Sequence, residues 1–96
     1  MRFLRVCGWP KFQHYRDRRP VWIKVYLSLH EKWEWMSLPD ATKSHLVGIW
    51  LLVAQVGNRV PWDPRFLGAK IGATEPITDD ELQLLCDRGF LEPAGA

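Results

Sequence analysis

The stretch of apolar residues near the middle of the chain constrains the fold more than any other feature of the sequence. Between residues 46 and 54 almost every side chain is apolar, and the wider pattern predicts a helix over residues 38–56. Pro39 and Asp40 suit its first turn, and Gly57 follows its end. Its main stripe has five members: Leu46, Ile49, Trp50, Val53 and Val56. A helix that is apolar on nearly every side is buried, so we expect this one at the centre of a folded domain.

Two short helices with capping signals follow the central helix. Asp63 is expected to cap a helix over residues 64–71, which Gly72 stops. Thr78 is expected to cap the last helix, with Glu81 completing a capping box. The inner face of this last helix carries three side chains: Leu82, Leu85 and Cys86.

Short extended segments are predicted on both sides of these helices. Residues 3–7 alternate between apolar and mixed side chains, as in a strand, and residues 59–62 are short and extended. Gly89 ends the last helix, and residues 90–92 are predicted to form a strand. The last four residues, 93–96, are expected to be a tail or the start of a linker.

The periodicity of residues 21–35 supports two structures. Apolar residues alternate at five positions, which is the periodicity of a strand: Val21, Ile23, Val25, Leu27 and Leu29. Helical spacing is also present, at Trp22, Val25, Tyr26, Leu29 and Trp33. Because the pattern runs past ten residues without a turn signal, we expect a helix.

The chain is long enough for one domain with its own core. It has 96 residues, of which 47% are apolar and six are tryptophan, so we expect a single domain over residues 1–92. Cys7 and Cys86 are expected to be free thiols in a reducing cytoplasm, and their spacing from other cysteines and histidines argues against a zinc site. With no signal peptide and no apolar run of membrane-spanning length in the sequence, we expect no membrane contact.

The order of these elements is that of a winged helix-turn-helix. A long helix, a short extended segment, two short helices and a closing strand predict a mainly α fold with a small β-sheet. The connector between the short helices, residues 72–77, is longer than is usual for that motif. Only one strand follows the last helix, so a two-stranded C-terminal wing cannot form there. We expect residues 3–7 to pair with residues 90–92 instead.

The strongest functional signal lies in residues 11–24, which we call the basic-aromatic segment. It has five cations, and they are Lys11, Arg16, Arg18, Arg19 and Lys24. It also has four rings, and they are Phe12, His14, Tyr15 and Trp22. Cations attract phosphate, and flat rings offer a surface on which bases stack. The segment therefore predicts contact with nucleic acid.

Charge is unevenly distributed along the chain. Residues 1–24 carry seven Lys or Arg residues and one Asp, a net charge of +6, whereas residues 25–96 carry six cations and ten acids, a net charge of −4. The basic end indicates a polyanionic partner. A purely structural interpretation stays open, in which Phe12 and Trp22 anchor the core and the cations face solvent.

Seven runs of the sequence carry a family resemblance. They are KFQHYRDR at residues 11–18, WIKVY at 22–26, LPD at 38–40, IWLL at 49–52, NRVPWDP at 58–64, IGAT at 71–74 and GFLE at 89–92. Together they resemble the N-terminal winged-helix domains of bacteriophage replication proteins of the replisome-organiser or initiator type. The resemblance spans roughly residues 3–92. It implies origin or single-strand DNA binding, contact with host or phage replication proteins, and a cytoplasmic location in a bacterial host.

We expect the basic-aromatic segment to bind DNA, with help from two cations on the helix predicted over residues 64–71. The candidate residues are Lys11, His14, Tyr15, Arg16, Arg18, Arg19, Lys24, Arg65 and Lys70. The last helix occupies the position of a recognition helix, yet it begins with Asp79, Asp80 and Glu81, whose carboxylates would repel phosphate. The alternative is a protein-interaction module, in which this acidic helix docks on a replication protein and the chain has no direct DNA contact.

Catalysis is not expected from this sequence. Cys7 with His14, or His45 with Asp40, could be a nucleophile and its base, but no Gly-rich loop, nucleophile elbow or paired-carboxylate motif accompanies them. Adjacent acids on a helix point apart, so the acidic turn is not expected to bind a metal. We therefore expect no cofactor, and we expect His45 at the helix surface or the edge of the core.

Overall fold

The computed structural model describes residues 2–12 and 22–95 of the chain. Its elements, in chain order, are β1 (Phe3–Val6), α1 (Trp9–Phe12), a 3-10 helix (Leu27–Glu31), α2 (Trp33–Met36), α3 (Asp40–Val56), β2 (Val60–Pro61), α4 (Pro64–Ile71), α5 (Asp79–Asp87) and β3 (Leu91–Ala94). The fold is mainly helical with a three-stranded antiparallel sheet. This confirms the predicted class at its coarse level.

α3 lies at the centre of the fold, as its composition predicts. Leu46 and Ile49 are fully buried on it, and Gly57 ends it in a conformation, φ +108°, that favours glycine. One member of the predicted stripe is misassigned, because Val56, the last residue of the helix, is 63% exposed. His45, expected at the surface or the core edge, is buried.

α4 begins and ends where the capping signals place it. The Asp63 carboxylate accepts hydrogen bonds from the backbone N–H groups of Arg65, at 3.1 Å, and Phe66, at 3.2 Å. Pro64 is its first residue, where a missing N–H costs nothing. Gly72 follows in the left-handed conformation that ends many helices.

α5 confirms half of its predicted capping box. The Thr78 hydroxyl accepts a hydrogen bond from the Glu81 N–H at 3.1 Å. The Glu81 carboxylate does not complete the box, because it turns to Thr42 and His45 on α3. A long-range partner has therefore replaced the local one.

The first strand lies in the middle of the sheet. β1 runs antiparallel to β2 on one side and to β3 on the other, with Arg5 opposite Glu92. This confirms the pairing predicted for the first and last extended segments. β3 continues to Ala94, so residues 93 and 94 belong to the sheet and not to a tail. Pro93 is compatible with this because β3 is an edge strand.

The side chain of Asn58 extends the sheet beyond β2. Its Oδ1 accepts a hydrogen bond from the Val6 N–H at 2.7 Å, and its Nδ2 donates to the Val6 carbonyl at 3.0 Å. The amide thus supplies both bonds that a strand residue would make, and the backbone of Val6 is satisfied without a third residue of β2.

The prediction of one long helix over residues 21–35 is wrong for the described residues. Residues 22–26 have no regular structure, and a 3-10 helix and the four-residue α2 follow them. Helices in proteins are stabilised mainly by burial of one face, yet Trp22 and Trp33 of the expected stripe are exposed. Because these side chains are not covered, burial does not stabilise one continuous helix here.

A turn and a short helix lead from β1 toward the basic-aromatic segment. Gly8 has φ +66°, and α1 follows it. Lys11 and Phe12, the first two residues of the basic-aromatic segment, belong to this helix. Trp9 is buried and anchors it to the core.

Candidate nucleic-acid interface

Most of the predicted DNA-binding residues lie outside the described part of the chain. The backbone of Lys11 lies in α1, but its side chain lies outside the described residues. Five further candidates also lie outside them: His14, Tyr15, Arg16, Arg18 and Arg19. Their contact with DNA stays a prediction. Lys24, Arg65 and Lys70 are described, and they lie in two different places.

Residues 22–36, which we call the connecting segment, expose aromatic rings to solvent. Trp22 is 63% exposed and Trp33 is 66% exposed. Lys24 and Lys32 lie between them in the sequence. Exposed rings and nearby cations are the combination with which proteins bind single-stranded nucleic acid. Sequence reasoning missed Trp33 because the expected helix placed it on a buried stripe.

A cleft of about 520 Å³ lies between the connecting segment and the rest of the fold. Its volume is within the range of small-molecule sites, about 300–1,000 Å³. The aromatic and charged residues that line it are Trp9, Lys24, Tyr26, Lys32, Glu34, Trp50, Arg88 and Phe90. Three of these side chains are cations and one is a carboxylate, so the cleft has an excess of positive charge.

The aromatic wall of the cleft is held by ring packing. Trp50 stacks on Trp35 with ring centroids 6.0 Å apart and an interplanar angle of 15°. Phe90 meets Trp35 edge to face, at 6.3 Å and 77°. Both arrangements are favourable for aromatic pairs. Because Trp35 is buried, Trp50 and Phe90 are oriented before any ligand binds.

Arg88 joins the end of α5 to the connecting segment. Its guanidinium carbon lies 4.4 Å from the centroid of Trp33. One nitrogen, Nη1, donates to the Glu34 carbonyl at 3.2 Å and also to the Ser37 hydroxyl. These contacts fix the position of α2 and keep a positive charge at the cleft.

The two cations of α4 do not share the surface of Lys24. α4 packs closely on α3, since a Cβ added to Gly48 would lie 2.9 Å from Cβ of Ile71. Trp50, which lines the cleft, is two positions further along α3 and so projects roughly 200° around the helix axis from Gly48. Arg65 and Lys70 therefore lie on the opposite side of α3 from the cleft.

One of the three acids in the first turn of α5 belongs to a buried polar cluster. Glu81 accepts a hydrogen bond from the Thr42 hydroxyl at 2.8 Å, and its carboxylate lies 2.9 Å from Nδ1 of His45. Thr42 and His45 are each 4% exposed. The cluster ties α5 to α3. Nothing in the local sequence signals it, because Glu81 lies more than thirty residues from Thr42 and His45.

A second acid of α5 also contacts the rest of the fold. Asp79 accepts a hydrogen bond from the indole N–H of Trp62 at 2.9 Å. The Arg2 guanidinium lies 4.1 Å from the centroid of the same ring. Asp79 and its neighbour Asp80 are both exposed. Asp79 and Glu81 thus have partners outside α5.

Two arginines on the sheet also have partners within the fold. Arg5 pairs with Glu92 across β1 and β3 at 2.5 Å. Arg59 donates to the Gly95 carbonyl at 2.8 and 3.1 Å, and its guanidinium lies 3.7 Å from the centroid of Phe3. Arg2, Arg5 and Arg59 thus each contact another residue of the fold.

The described residues offer no arrangement that supports the catalytic interpretation. Cys7 and Cys86 are free thiols, and burial raises the pKa of both, which disfavours the reactive thiolate. His45 is bonded to Glu81 and not to Asp40. Among residues 2–12 and 22–95, no cluster of three or more His, Cys, Asp or Glu side chains is placed to hold a metal ion.

Comparison with known proteins finds no matching family model, curated protein or solved structure. Within the described ranges, no helix combines the length and the apolar character needed to cross a membrane.

Proposed function

We propose that this chain is a winged-helix-like DNA-binding domain of a phage or prophage replication protein. It binds DNA through the basic-aromatic segment and the connecting segment that continues from it. The observation that carries this proposal is the exposure of Trp22 and Trp33, at 63% and 66%, with Lys24 and Lys32 between them. Stacking surface and phosphate-binding charge thus continue directly from the basic run.

The topology of the sheet supports the winged-helix part of the proposal. The order from α3 to β3 is long helix, short strand, two short helices and strand. β1 then occupies the middle of the sheet, between β2 and β3. This is the place that the second strand of a C-terminal wing would take, so the N-terminal strand substitutes for it.

The contacts of the acidic turn favour DNA binding over the protein-interaction alternative. That alternative needs the acids of α5 to be available to a partner. Glu81 and Asp79 are both hydrogen-bonded within the fold, although Asp79 is exposed as Asp80 is. The exposed rings, which are the usual anchors of a protein interface, lie elsewhere.

A titration of single- and double-stranded DNA at several salt concentrations tests this function. If four of the five cations meet phosphates, log affinity falls against log salt with a slope of about −3.6 for duplex and about −2.8 for single strands. Replacing Arg16, Arg18 and Arg19 together by Ala removes three contacts and flattens the slope to roughly −1.

The matched control replaces the same three arginines by Lys, which keeps the charge and is expected to keep the slope. A triple-Ala variant that binds with the affinity and slope of the parent would falsify the assignment. Replacing Tyr15 by Ala separates stacking from charge, since we expect a loss of about 1–3 kcal/mol on single strands with little change in slope.

A further inference from the structure

We propose that the cleft beside the connecting segment binds one unstacked base of single-stranded DNA, while Lys24 and Lys32 contact the flanking phosphates. This inference rests on the proposed function and adds to it the strand type and the place where a base is held. The cleft brings together three features that a nucleotide needs: aromatic walls, cations and a volume of about 520 Å³.

The walls suit the faces and edges of a base. Trp50 and Phe90 present ring surface that Trp35 holds in place, at 6.0 and 6.3 Å between centroids. Tyr26, in the connecting segment, also lines the cleft. Fixed rings lose little conformational freedom when a ligand binds, so the stacking energy is retained as affinity.

The charges suit the phosphates on either side of that base. Lys24, Lys32 and Arg88 line the cleft, and Glu34 is the single carboxylate among the described residues that line it. Arg88 is held over Trp33 and by Ser37. This excess of positive charge is complementary to a nucleic-acid backbone and unfavourable for an acidic or purely apolar ligand.

Chain connectivity joins the cleft to the basic-aromatic segment. Trp9 and Lys24 both line the cleft, and the chain between them contains Lys11, Arg16, Arg18 and Arg19. The phosphates of a strand whose base enters the cleft are therefore near both ends of the basic run. A paired base in a duplex is stacked on both faces and cannot enter such a cleft without being flipped out.

The test compares two strands that share a backbone but differ in bases. One is an oligothymidylate of about eight nucleotides, and the other is an abasic strand of the same length. The parent protein is expected to bind the thymidine strand about 5- to 150-fold more tightly, the equivalent of one stacked base. Ser28→Trp fills the cleft, because Ser28 lines it, and is expected to bring that ratio close to one while leaving abasic-strand affinity unchanged.

Ser44→Trp is the matched control, because Ser44 is exposed on α3 and does not line the cleft. It is expected to keep the ratio of the parent. Thermal unfolding of both variants checks that they fold. If Ser28→Trp does not fold, Tyr26→Ala replaces it, and the ratio is expected to fall at least several-fold in that variant.

Four results overturn the assignment. A parent that binds both strands equally contradicts the cleft but leaves phosphate-mediated DNA binding intact, whereas a parent that binds neither contradicts both. A base preference that Ser28→Trp leaves unchanged puts the base elsewhere. If the parent is a dimer that Ser28→Trp dissociates, and the ratio does not change, the cleft is an interface between copies of the chain.

Discussion

We call the described residues outside the connecting segment, 2–12 and 37–95, the helical body. The helical body and the connecting segment differ in how far their side chains are buried or bonded within the fold. In the body, buried leucines such as Leu85 are completely covered, and two acids of α5, Asp79 and Glu81, bond to residues outside that helix. In the connecting segment, Leu27 is 93% exposed and Trp33 is 66% exposed. Both regions are rich in apolar residues, so composition alone does not separate them.

The difference indicates that the two regions serve different purposes. Exposed large apolar side chains that lie close together are a common mark of a binding surface. The body needs no ligand to satisfy its polar groups, since Glu81, Asp79 and Arg59 all have partners within the fold. The connecting segment is therefore the part of the described chain whose exposed apolar side chains a partner would cover.

The same leucine-to-alanine substitution in each region tests the difference in burial. Leu85→Ala removes a completely buried side chain from α5 and is expected to cost about 2–5 kcal/mol of unfolding free energy, through lost burial and a cavity. Leu27→Ala is expected to change it by less than about 0.5 kcal/mol, because that side chain is already in water. Urea unfolding of both variants measures the difference. Equal losses would mean that the connecting segment is packed as tightly as the body.

The buried polar cluster gives the next largest effect. Glu81→Ala leaves the Thr42 hydroxyl and the His45 ring without their partner and is expected to cost about 1–3 kcal/mol. Asp80→Ala removes an exposed acid from the same turn and is expected to cost about 0.5 kcal/mol. Thermal unfolding of the pair separates the cluster from the general effect of an acid at a helix start. Similar losses in both variants would contradict the assigned role of the cluster.

Two glycines test the tight packing of α3 against α4, and their effects are expected to differ in sign. Gly48→Ala places a methyl group 2.9 Å from Cβ of Ile71, which has no flexible end to move away, and is expected to cost about 1–3 kcal/mol. Gly68→Ala meets nothing within 4 Å inside α4 and is expected to stabilise by about 0.5–1 kcal/mol. Chemical denaturation of both proteins measures the sign, and a stabilising Gly48→Ala would show that the helices are not in close contact.

A lysine substitution in the connecting segment is expected to change DNA binding with the smallest change in stability. Lys32→Ala in the connecting segment is expected to alter unfolding free energy by less than about 0.5 kcal/mol. It is also expected to lower the salt slope of single-strand binding by about 0.7, the contribution of one phosphate contact. Lys70→Ala, on the opposite side of α3, serves as the comparison. A larger slope change from Lys70 than from Lys32 would move the interface to α4.

Much of the fold could be predicted because its signals are local. Asp63, Pro64 and Gly72 fix α4 to the residue, and Gly57 fixes the end of α3. The connecting segment could not be predicted in this way, since its pattern fits a strand and a helix equally well. What decides it is whether another element covers its apolar face, and that is a tertiary property.

The candidate site was only partly predictable for a related reason. Lys24 and the ring of Trp22 stand out in the sequence because they belong to one basic and aromatic run. Trp50, on α3, and Phe90, just before β3, line the cleft because both rings pack against Trp35. The partners of Glu81 likewise come from α3, so its role as a capping-box residue was the only one that the sequence could suggest.

The indole N–H signals of the tryptophans test directly whether single-stranded DNA binds at the connecting segment. A ¹H–¹⁵N spectrum recorded during a titration with single-stranded DNA follows Trp22 and Trp33 in the connecting segment and Trp62 in the body separately. We expect the largest shifts at Trp22 and Trp33, with the signal of Trp62, which is bonded to Asp79, nearly unchanged. The largest shifts at Trp62 and at the backbone amides of α5 would show that the acidic helix contacts DNA, and would contradict the proposed binding surface.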